Sequence, residues 1–255
     1  MCLILLALNA HPDYPLVLAA NRDEFHARPT EALHWWTAPA ILAGRDVQAG
    51  GTWMGLTRAG RFAALTNVRE GLRPKTGVRS RGLLVTDALG DSRAPEAFIA
   101  GLDGQAYDGY NLLLGQLWPR PILHWASNRG EAPRRLADGL HGLSNAGLDP
   151  IWPKVRSGIA ALAAAVADGA QPERLFALLA DTTQAPDAEL PQTGVPYEWE
   201  KRLSARFIVS PDYGTRSSSV LRLRRDGWLE LEERRFEAGG VESARAAWSL
   251  NPDPS

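Results

Sequence analysis

Two short apolar runs, separated by a polar turn, open the chain. The first run, Leu3–Asn9, has no polar residue before its last position, which predicts a strand that is buried on both faces. A turn is expected over Asn9–Asp13, and the second run is Leu16–Ala20. The pattern therefore predicts an antiparallel hairpin at the start of the fold.

Later apolar runs predict more strands, then helices, then strands again. The next strands are expected over Ile41–Leu42, Thr52–Thr57, Arg61–Thr66, Tyr110–Gln116 and Pro121–Ala126. Helices are expected over Gly82–Leu89, Pro95–Ala100, Pro153–Asp168 and Pro172–Ala180. The last strands are expected over Ala205–Val209, Ser217–Leu223 and Trp228–Phe236. The dipeptides Ala59-Gly60 and Asp226-Gly227 predict tight turns between neighbouring strands.

Hairpins at both ends with helices between them indicate an α+β fold, in which two antiparallel sheets carry helices on their outer faces. The sequence has no internal repeat and no low-complexity linker, so we expect a single domain over residues 1–250. Residues Asn251–Ser255 are expected to form a frayed tail. Two loop-like segments, Glu31–Ala40 and Asp181–Tyr197, are candidates for the walls of a pocket.

Charge and hydropathy argue against two classes of function. Lys and Arg number 28 and Asp and Glu number 29, so the chain lacks the basic excess that nucleic-acid binding requires. The opening apolar run Cys2–Leu8 is much shorter than the ~20 residues of a membrane span. No basic segment precedes that run, as a secretory signal would require. We therefore expect a cytoplasmic protein without stable membrane insertion, whose partner is a small molecule.

The single cysteine, Cys2, narrows the possible chemistry. It excludes an intramolecular disulfide and a zinc site built from several cysteines, and no cofactor is predicted. Because Cys is small, we expect Met1 to be removed, which leaves a thiol next to a free α-amino group. That amine has an ordinary pKa of ~7.7–8.0 and can accept the thiol proton near neutral pH. The alternative is a cysteine that only fills space in an apolar strand.

Polar residues at the ends of several predicted strands are candidates for the same site. They are Arg22 and Asp23 in the tetrad Asn21-Arg22-Asp23-Glu24, then Asn67, Asn145 and Arg216. An Asn amide can donate to a developing oxyanion, and an arginine near a thiol favours the thiolate. Each residue taken alone is also typical of an ordinary turn.

An ordered set of motifs in this chain resembles the NRDE family, also called the transport and Golgi organization protein 2 family. The matching segments are Met1-Cys2-Leu3-Ile4, Asn21-Arg22-Asp23-Glu24, Gly51-Thr52-Trp53-Met54-Gly55, Thr66-Asn67, Leu143-Ser144-Asn145, Trp152-Pro153-Lys154-Val155 and Tyr213-Gly214-Thr215-Arg216-Ser217-Ser218. That family in turn resembles N-terminal nucleophile hydrolases of the choloylglycine hydrolase and penicillin V acylase type. The resemblance implies a four-layer αββα sandwich.

The more remote resemblance also implies roles for the candidate residues. Cys2 would be the nucleophile and its own amine the base, with Asp23 holding the amine. Arg22 would lie near the thiolate, Asn67 and Asn145 would be oxyanion donors, and Arg216 would order the site. In one respect this sequence departs from the choloylglycine enzymes, which separate their early Arg and Asp by two residues. Because adjacent strand residues point to opposite faces, Arg22 and Asp23 can both reach Cys2 only if the strand has turned there.

Three hypotheses follow for the function. The first is an N-terminal cysteine hydrolase that cleaves an amide or related acyl bond of a small molecule. The second, which the family resemblance implies, is a haem or acyl-lipid binding and trafficking protein without turnover. His34, Trp35 and Trp36 could line a flat pocket for haem, but we favour the alternative, an exposed histidine next to packed Trp. The third is a scaffold whose pocket is vestigial. The sequence does not fix the oligomeric state, because the Ala-rich Ile159–Val166 can pack inside the domain or against a second copy.

Overall fold

Two antiparallel sheets with helices on their outer faces make up most of the computed structural model, which describes residues 2–71 and 77–251. The strands in chain order are β1 (Cys2–Leu8), β2 (Leu16–Phe25), β3 (Thr30–Trp35), β4 (Ile41–Asp46), β5 (Met54–Thr57), β6 (Arg61–Asn67), β7 (Tyr110–Gln116), β8 (Ile122–Ser127), β9 (Arg134–Arg135), β10 (Gly139–Leu143), β11 (Tyr213–Leu223), β12 (Leu229–Phe236) and β13 (Glu242–Leu250). The helices are α1 (Arg81–Gly90), α2 (Pro95–Ala100), α3 (Pro153–Ala167), α4 (Pro172–Leu179) and α5 (Tyr197–Arg202).

Both ends of the chain contribute to the first sheet, whose strand order is β10-β1-β2-β11-β12-β13. The second sheet has the order β3-β4-β5-β6-β7-β8-β9, and every pairing in the two sheets is antiparallel. The predicted hairpin of β1 and β2 is confirmed, with Cys2 opposite Arg22 at its open end.

Side-chain alternation along β1 shows how the layers are stacked. Ile4 and Leu6 belong to the cluster between the two sheets, whereas Leu3 and Leu5 pack against α3 and α4. The strand is therefore buried on both faces, as its unbroken apolar run predicted. On the other side, α1 and α2 cover the outer face of the second sheet. The order is helix, sheet, sheet, helix, which confirms the predicted αββα sandwich.

The turn between β5 and β6 requires a glycine. Gly60 has φ +82°, and a Cβ built there would lie 2.1 Å from Cε3 of Trp118. Both the left-handed backbone and the close approach of the indole ring exclude a side chain at this position. The turn predicted at Ala59-Gly60 is confirmed, and Gly227, with φ +92°, forms the corresponding turn between β11 and β12.

The predicted strand Ala205–Val209 is wrong. The segment is irregular and is held by bonds from other elements: the Asn21 side-chain amide donates to the Arg206 carbonyl at 2.7 Å. The Ile208 N–H donates to the hydroxyl of Thr215 at 2.9 Å. Ala205, Phe207 and Ile208 are buried although the segment belongs to no sheet, and the pattern alone cannot distinguish this from membership of the sheet.

Several elements were not predicted: β3, β9, β10, β13 and α5. Strand β13 is largely exposed and rich in Ala, so it lacks the apolar alternation that indicates a strand. The structure describes Asn251, without regular structure, while Met1 and residues 252–255, which include the rest of the predicted tail, lie outside the described residues. Across 2–71 and 77–251, no helix combines the length and apolar character needed to span a membrane.

Candidate active site

Cys2 lies at the open end of the first sheet and faces a large cavity. It is the first residue of β1, and its surface is 7% exposed. The cavity has a volume of about 1140 Å³, and Cys2, Arg22, Asp23, Asn67 and Arg216 all line it. The structure therefore brings together five of the six residues that the sequence selected.

Arg22 and Asp23 lie on opposite faces of β2, as their adjacency predicts. Leu18 and Ala20 on the Arg22 face pack between the sheets, and Val17 and Ala19 on the Asp23 face pack under α3 and α4. Cys2 pairs directly with Arg22, so those two side chains share a face. Asp23 nevertheless lines the same cavity as Cys2, which is at the strand end, and its charge raises the pKa of the Cys2 thiol. No turn of the strand is needed.

Asp23 is held by β11, its neighbour in the sheet. The Thr215 hydroxyl donates to Oδ1 of Asp23 at 2.8 Å, and the same hydroxyl accepts the Ile208 N–H at 2.9 Å. The Tyr213 hydroxyl donates to the Asp23 carbonyl at 3.1 Å. Burial raises the pKa of the Asp23 carboxyl, whereas the amino terminus, Lys154 and the Thr215 hydroxyl act to lower it.

Arg22 is oriented by an acidic partner that sequence analysis missed. Its Nη2 lies 3.2 Å from Oδ2 of Asp46, and Nε of Arg28 lies 2.6 Å from the same oxygen. Asp46 is the last residue of β4 in the second sheet, so the pair links the two sheets next to the cavity. Because β4 carries no motif that connects it to the tetrad, only the tertiary structure reveals this partner.

The ionisation of Cys2 depends on opposing effects. Burial is the largest and raises the pKa of the thiol, and Asp23 and Glu24 raise it further. The amino terminus and Arg22 lower it. The thiol is therefore reactive only to the extent that nearby positive charge offsets the effect of burial on its pKa.

The two asparagines have different positions. Asn67, the last residue of β6, lines the cavity, and its side chain makes no hydrogen bond to the rest of the described chain. Asn145 is fully buried behind it, outside the lining, and donates from Nδ2 to the Asn67 carbonyl at 2.8 Å. Among the described residues the Asn67 amide therefore has no hydrogen-bond partner, whereas the Asn145 amide fixes the backbone of Asn67.

Arg216 occupies a β-bulge in β11. Thr215 pairs with Asp23 and Ser217 with Arg22, so Arg216 is the extra residue between them. Its Nη1 lies 2.9 Å from the Phe25 carbonyl, 3.0 Å from that of His26 and 3.1 Å from that of Arg28. The guanidinium thus fixes the chain that leaves β2 directly after the tetrad.

A buried cluster of charge lies beside Asp23, and sequence analysis assigned it no role. Nη1 of Arg69 pairs with Oε2 of Glu200 at 2.7 Å, and the Arg69 guanidinium lies 4.7 Å from the ring centroid of Trp152. Lys154 at the start of α3 is 3% exposed. Trp152 and Lys154 belong to the segment Trp152-Pro153-Lys154-Val155, which resembles the NRDE family. This resemblance was the one signal in the sequence that pointed to them.

The walls of the cavity come mostly from segments other than those expected. Of the two predicted wall segments, only Glu31 and Val195 contribute among the described residues. The remaining wall comes from the ends of strands in both sheets, from the β4–β5 connection and from the segments on either side of 72–76. His34 and the other four histidines lie outside the lining. Over 2–71 and 77–251, no cluster of His, Cys, Asp and Glu is arranged to hold a metal ion.

Comparisons with known proteins agree with this geometry. The solved structure of the Caenorhabditis elegans N-acylethanolamine-hydrolyzing acid amidase ortholog superposes with a TM-score of 0.52 at 11% identity, covering 86% of this chain and 92% of that one. At this identity the likeness concerns the fold alone, and it confirms the expected N-terminal nucleophile hydrolase-like architecture.

Sequence relatives are much closer. The Transport and Golgi organization protein 2 homologs of Bos taurus and Homo sapiens are 34% and 32% identical, and each match covers 92% of this chain and 92% of the relative. The family model described as Transport and Golgi organisation 2 matches residues 1–238. The chain therefore belongs to the transport and Golgi organisation 2 family.

Proposed function

We propose that this protein is an N-terminal cysteine hydrolase that cleaves an amide or related acyl bond of a small molecule. The observation that carries the proposal is the meeting of Cys2, Asp23 and Asn67 at one cavity. They supply a nucleophile, a buried carboxylate at the same cavity and an amide donor without a partner among the described residues. Acyl transfer needs these three functions together.

The reaction begins with removal of Met1, which gives Cys2 its own α-amino group. In its neutral form this amine takes the proton of the Cys2 thiol, leaving a thiolate next to an ammonium group. In this proposal the carboxylate of Asp23 stabilises the new ammonium of Cys2, and the positive charge of Arg22 favours the thiolate. Asp46 orients Arg22 by accepting from its guanidinium.

Attack then proceeds through an acyl-enzyme. The Cys2 sulfur forms a bond to the substrate carbonyl carbon, and the Asn67 amide donates to the resulting oxyanion. As the intermediate collapses, the C–N bond breaks and the ammonium proton passes to the leaving amine. Water, deprotonated by the amine, attacks the thioester; the released sulfur regains the proton, and a carboxylic acid leaves.

The fold neighbour guides the choice of first probes. The Caenorhabditis elegans neighbour is, by its name, an amidase that hydrolyses N-acylethanolamines. A cavity of about 1140 Å³ has room for an acyl chain with a small amine. We therefore propose a small N-acyl compound as substrate. We also propose that the protein acts in the cytoplasm, where the reducing environment keeps the Cys2 thiol free.

Turnover of an N-acyl panel by the wild-type protein and two variants tests the proposal. Cys2→Ala should abolish hydrolysis, and Cys2→Ser should retain a small fraction, because a hydroxyl is a weaker nucleophile than a thiolate. A covalent acyl adduct should appear on Cys2 in the intact mass of the wild-type protein. Full turnover by Cys2→Ala would show that the mechanism is wrong.

Haem binding without turnover is the other function that the family resemblance implies. It requires saturable haem binding that survives Cys2→Ala. If the panel is not hydrolysed while haem titrates to a fixed stoichiometry in both proteins, the cavity serves binding and the hydrolase proposal fails.

A further inference from the structure

Lys154 is a buried cation that the mechanism above does not use. It follows Pro153 in the first turn of α3 and is 3% exposed. Its Nζ is buried and makes no hydrogen bond to any atom of residues 2–71 and 77–251. An ammonium group that is removed from water without a partner costs free energy. Such a residue is expected where its charge serves a purpose other than stability.

The charges around Lys154 come from four parts of the fold. Cys2 on β1, Asp23 on β2, Glu200 on α5 and Arg69 after β6 all act on it electrostatically. Glu200 and Arg69 are already paired with each other at 2.7 Å, so much of their effect on Lys154 cancels. This leaves Asp23 and Cys2 as the groups whose charge Lys154 can balance.

The layer order explains why Lys154 is near Asp23. Helix α3 covers the outer face of the first sheet, and Asp23 lies on that face of β2. The charged groups on the other elements that contact α3 have partners elsewhere: His141 with Asp149, Glu173 with Arg234, and Arg174 with Asp168. Among the described residues, these groups are therefore not available to pair with Lys154 in place of Asp23.

We propose that Lys154 is a positioning residue for the nucleophile: its unpaired ammonium offsets the carboxylate of Asp23, so that the Cys2 thiolate can form beside that carboxylate. The inference rests on the proposed function and deepens it. Asp23 is needed to hold the amine, yet its negative charge raises the pKa of the Cys2 thiol. A second cation near Asp23, outside the cavity lining, relieves this conflict without contacting the substrate.

The protonation state of Lys154 is consistent with this role. Burial, and to a smaller extent Arg69, lowers the pKa of Lys154 from its ordinary 10.5 to about 8. The residue is therefore charged at neutral pH. In the folded state it binds fewer protons than in the unfolded state between pH 8 and 10.5, so its burial costs stability below pH 8 and the cost fades as pH rises.

The test measures the rate at which iodoacetamide alkylates Cys2 in the folded full-length protein across pH 6 to 10. Lys154→Met removes the charge with little change in shape, and Lys154→Gln is a second uncharged variant in case the first does not fold. Lys154→Arg keeps the charge. Lys201→Met is the matched control, since Lys201 is partly buried, pairs with Asp187 and lies outside the cavity lining.

The uncharged variants should shift the alkylation profile upward by about one pH unit, which corresponds to an about tenfold slower rate at pH 7. They should also melt several degrees higher at pH 7 and lose the rise in stability between pH 8 and 10.5. Lys154→Arg and Lys201→Met should keep the wild-type profile.

The outcomes separate the inference from the proposed function. A wild-type thiol that reacts near neutral pH, with an unchanged profile in the uncharged variants, would overturn the role of Lys154 and leave the hydrolase proposal intact. A folded wild-type protein whose thiol never reacts would overturn both. A purely structural lysine would change the melting temperature alone, which also contradicts the inference.

Discussion

At the scale of single residues, the hydrogen bonds of each side chain determine which donors remain for Asp23 or for a bound molecule. The Thr215 hydroxyl accepts from one backbone N–H, so its own proton is free to bind Asp23. Asn145 uses its amide on the Asn67 carbonyl, whereas Asn67 keeps its amide unbonded within the described chain. The same residue type thus supports two different roles, and only the contacts distinguish them.

Substitution of the two asparagines should separate these roles. Asn67→Ala removes the oxyanion donor and should lower kcat by roughly 10²–10³-fold with little loss of stability. Asn145→Ala leaves a buried carbonyl without its donor and should destabilise the fold by about 1–3 kcal/mol, with a smaller effect on kcat. Steady-state kinetics and urea unfolding measure both quantities. Equal losses of kcat in well-folded variants would contradict the assignment.

At the scale of elements, the bulge in β11 connects the sheet to the site. It lets Thr215 reach Asp23 and places Arg216 against the carbonyls that follow β2. A regular strand would shift one of these contacts out of register. The tetrad is therefore held from the neighbouring strand as well as by its own hairpin.

Loss of the Arg216 side chain should weaken this connection. Arg216→Ala removes charge-assisted bonds shared among three carbonyls and should lower the free energy of unfolding by about 2–4 kcal/mol. Urea unfolding measures the change. The control is Arg224→Ala, whose exposed pair with Asp226 should contribute less than about 1 kcal/mol. Similar effects of the two variants would contradict the role of Arg216.

Sequence patterns predicted the elements whose apolar residues follow a simple period. Strand β1 and helix α3 have nearly the predicted bounds because burial sets their composition directly. The segment Ala205–Val209 is buried except at Val209 and belongs to no sheet, whereas β13 belongs to a sheet and is largely exposed. In both segments the apolar content follows the burial of the residues. Burial and strand membership differ there, so the apolar pattern did not predict the secondary structure.

Part of the candidate site was predicted from the sequence, and part was not. Cys2, Arg22, Asp23, Asn67 and Arg216 follow or end apolar runs, and the fold brings them to one cavity. Asp46, Thr215 and Lys154 act through partners that are distant in sequence. Such partnerships leave no local pattern, so the structure was needed to reveal them.

At the scale of the whole molecule, the packing of two sheets creates the site. Cys2 and Asp23 come from the first sheet, and Asn67 and Asp46 come from the second. Strands β1 and β6 contact each other across the interface. The apolar cluster between the sheets therefore sets the separation between Cys2 and Asn67.

A cavity in that cluster should reduce stability. Leu18 on β2 is fully buried between the sheets, and Leu18→Ala should cost about 2–5 kcal/mol in free energy of unfolding. Ile151→Ala is the control, because Ile151 is 89% exposed and its truncation should change stability by less than about 0.5 kcal/mol. Thermal and urea unfolding provide the comparison. A loss at Leu18 no larger than at Ile151 would contradict the proposed packing.

The central claim is that Cys2 becomes an amino-terminal nucleophile, and intact-mass spectrometry tests it most directly. The purified protein is weighed before and after brief exposure to iodoacetamide at pH 7, and because Cys2 is the only cysteine, the position of the adduct is unambiguous. The account predicts a mass without Met1 and one rapid adduct on the folded protein. A retained Met1, or an adduct that forms only after unfolding, would contradict it.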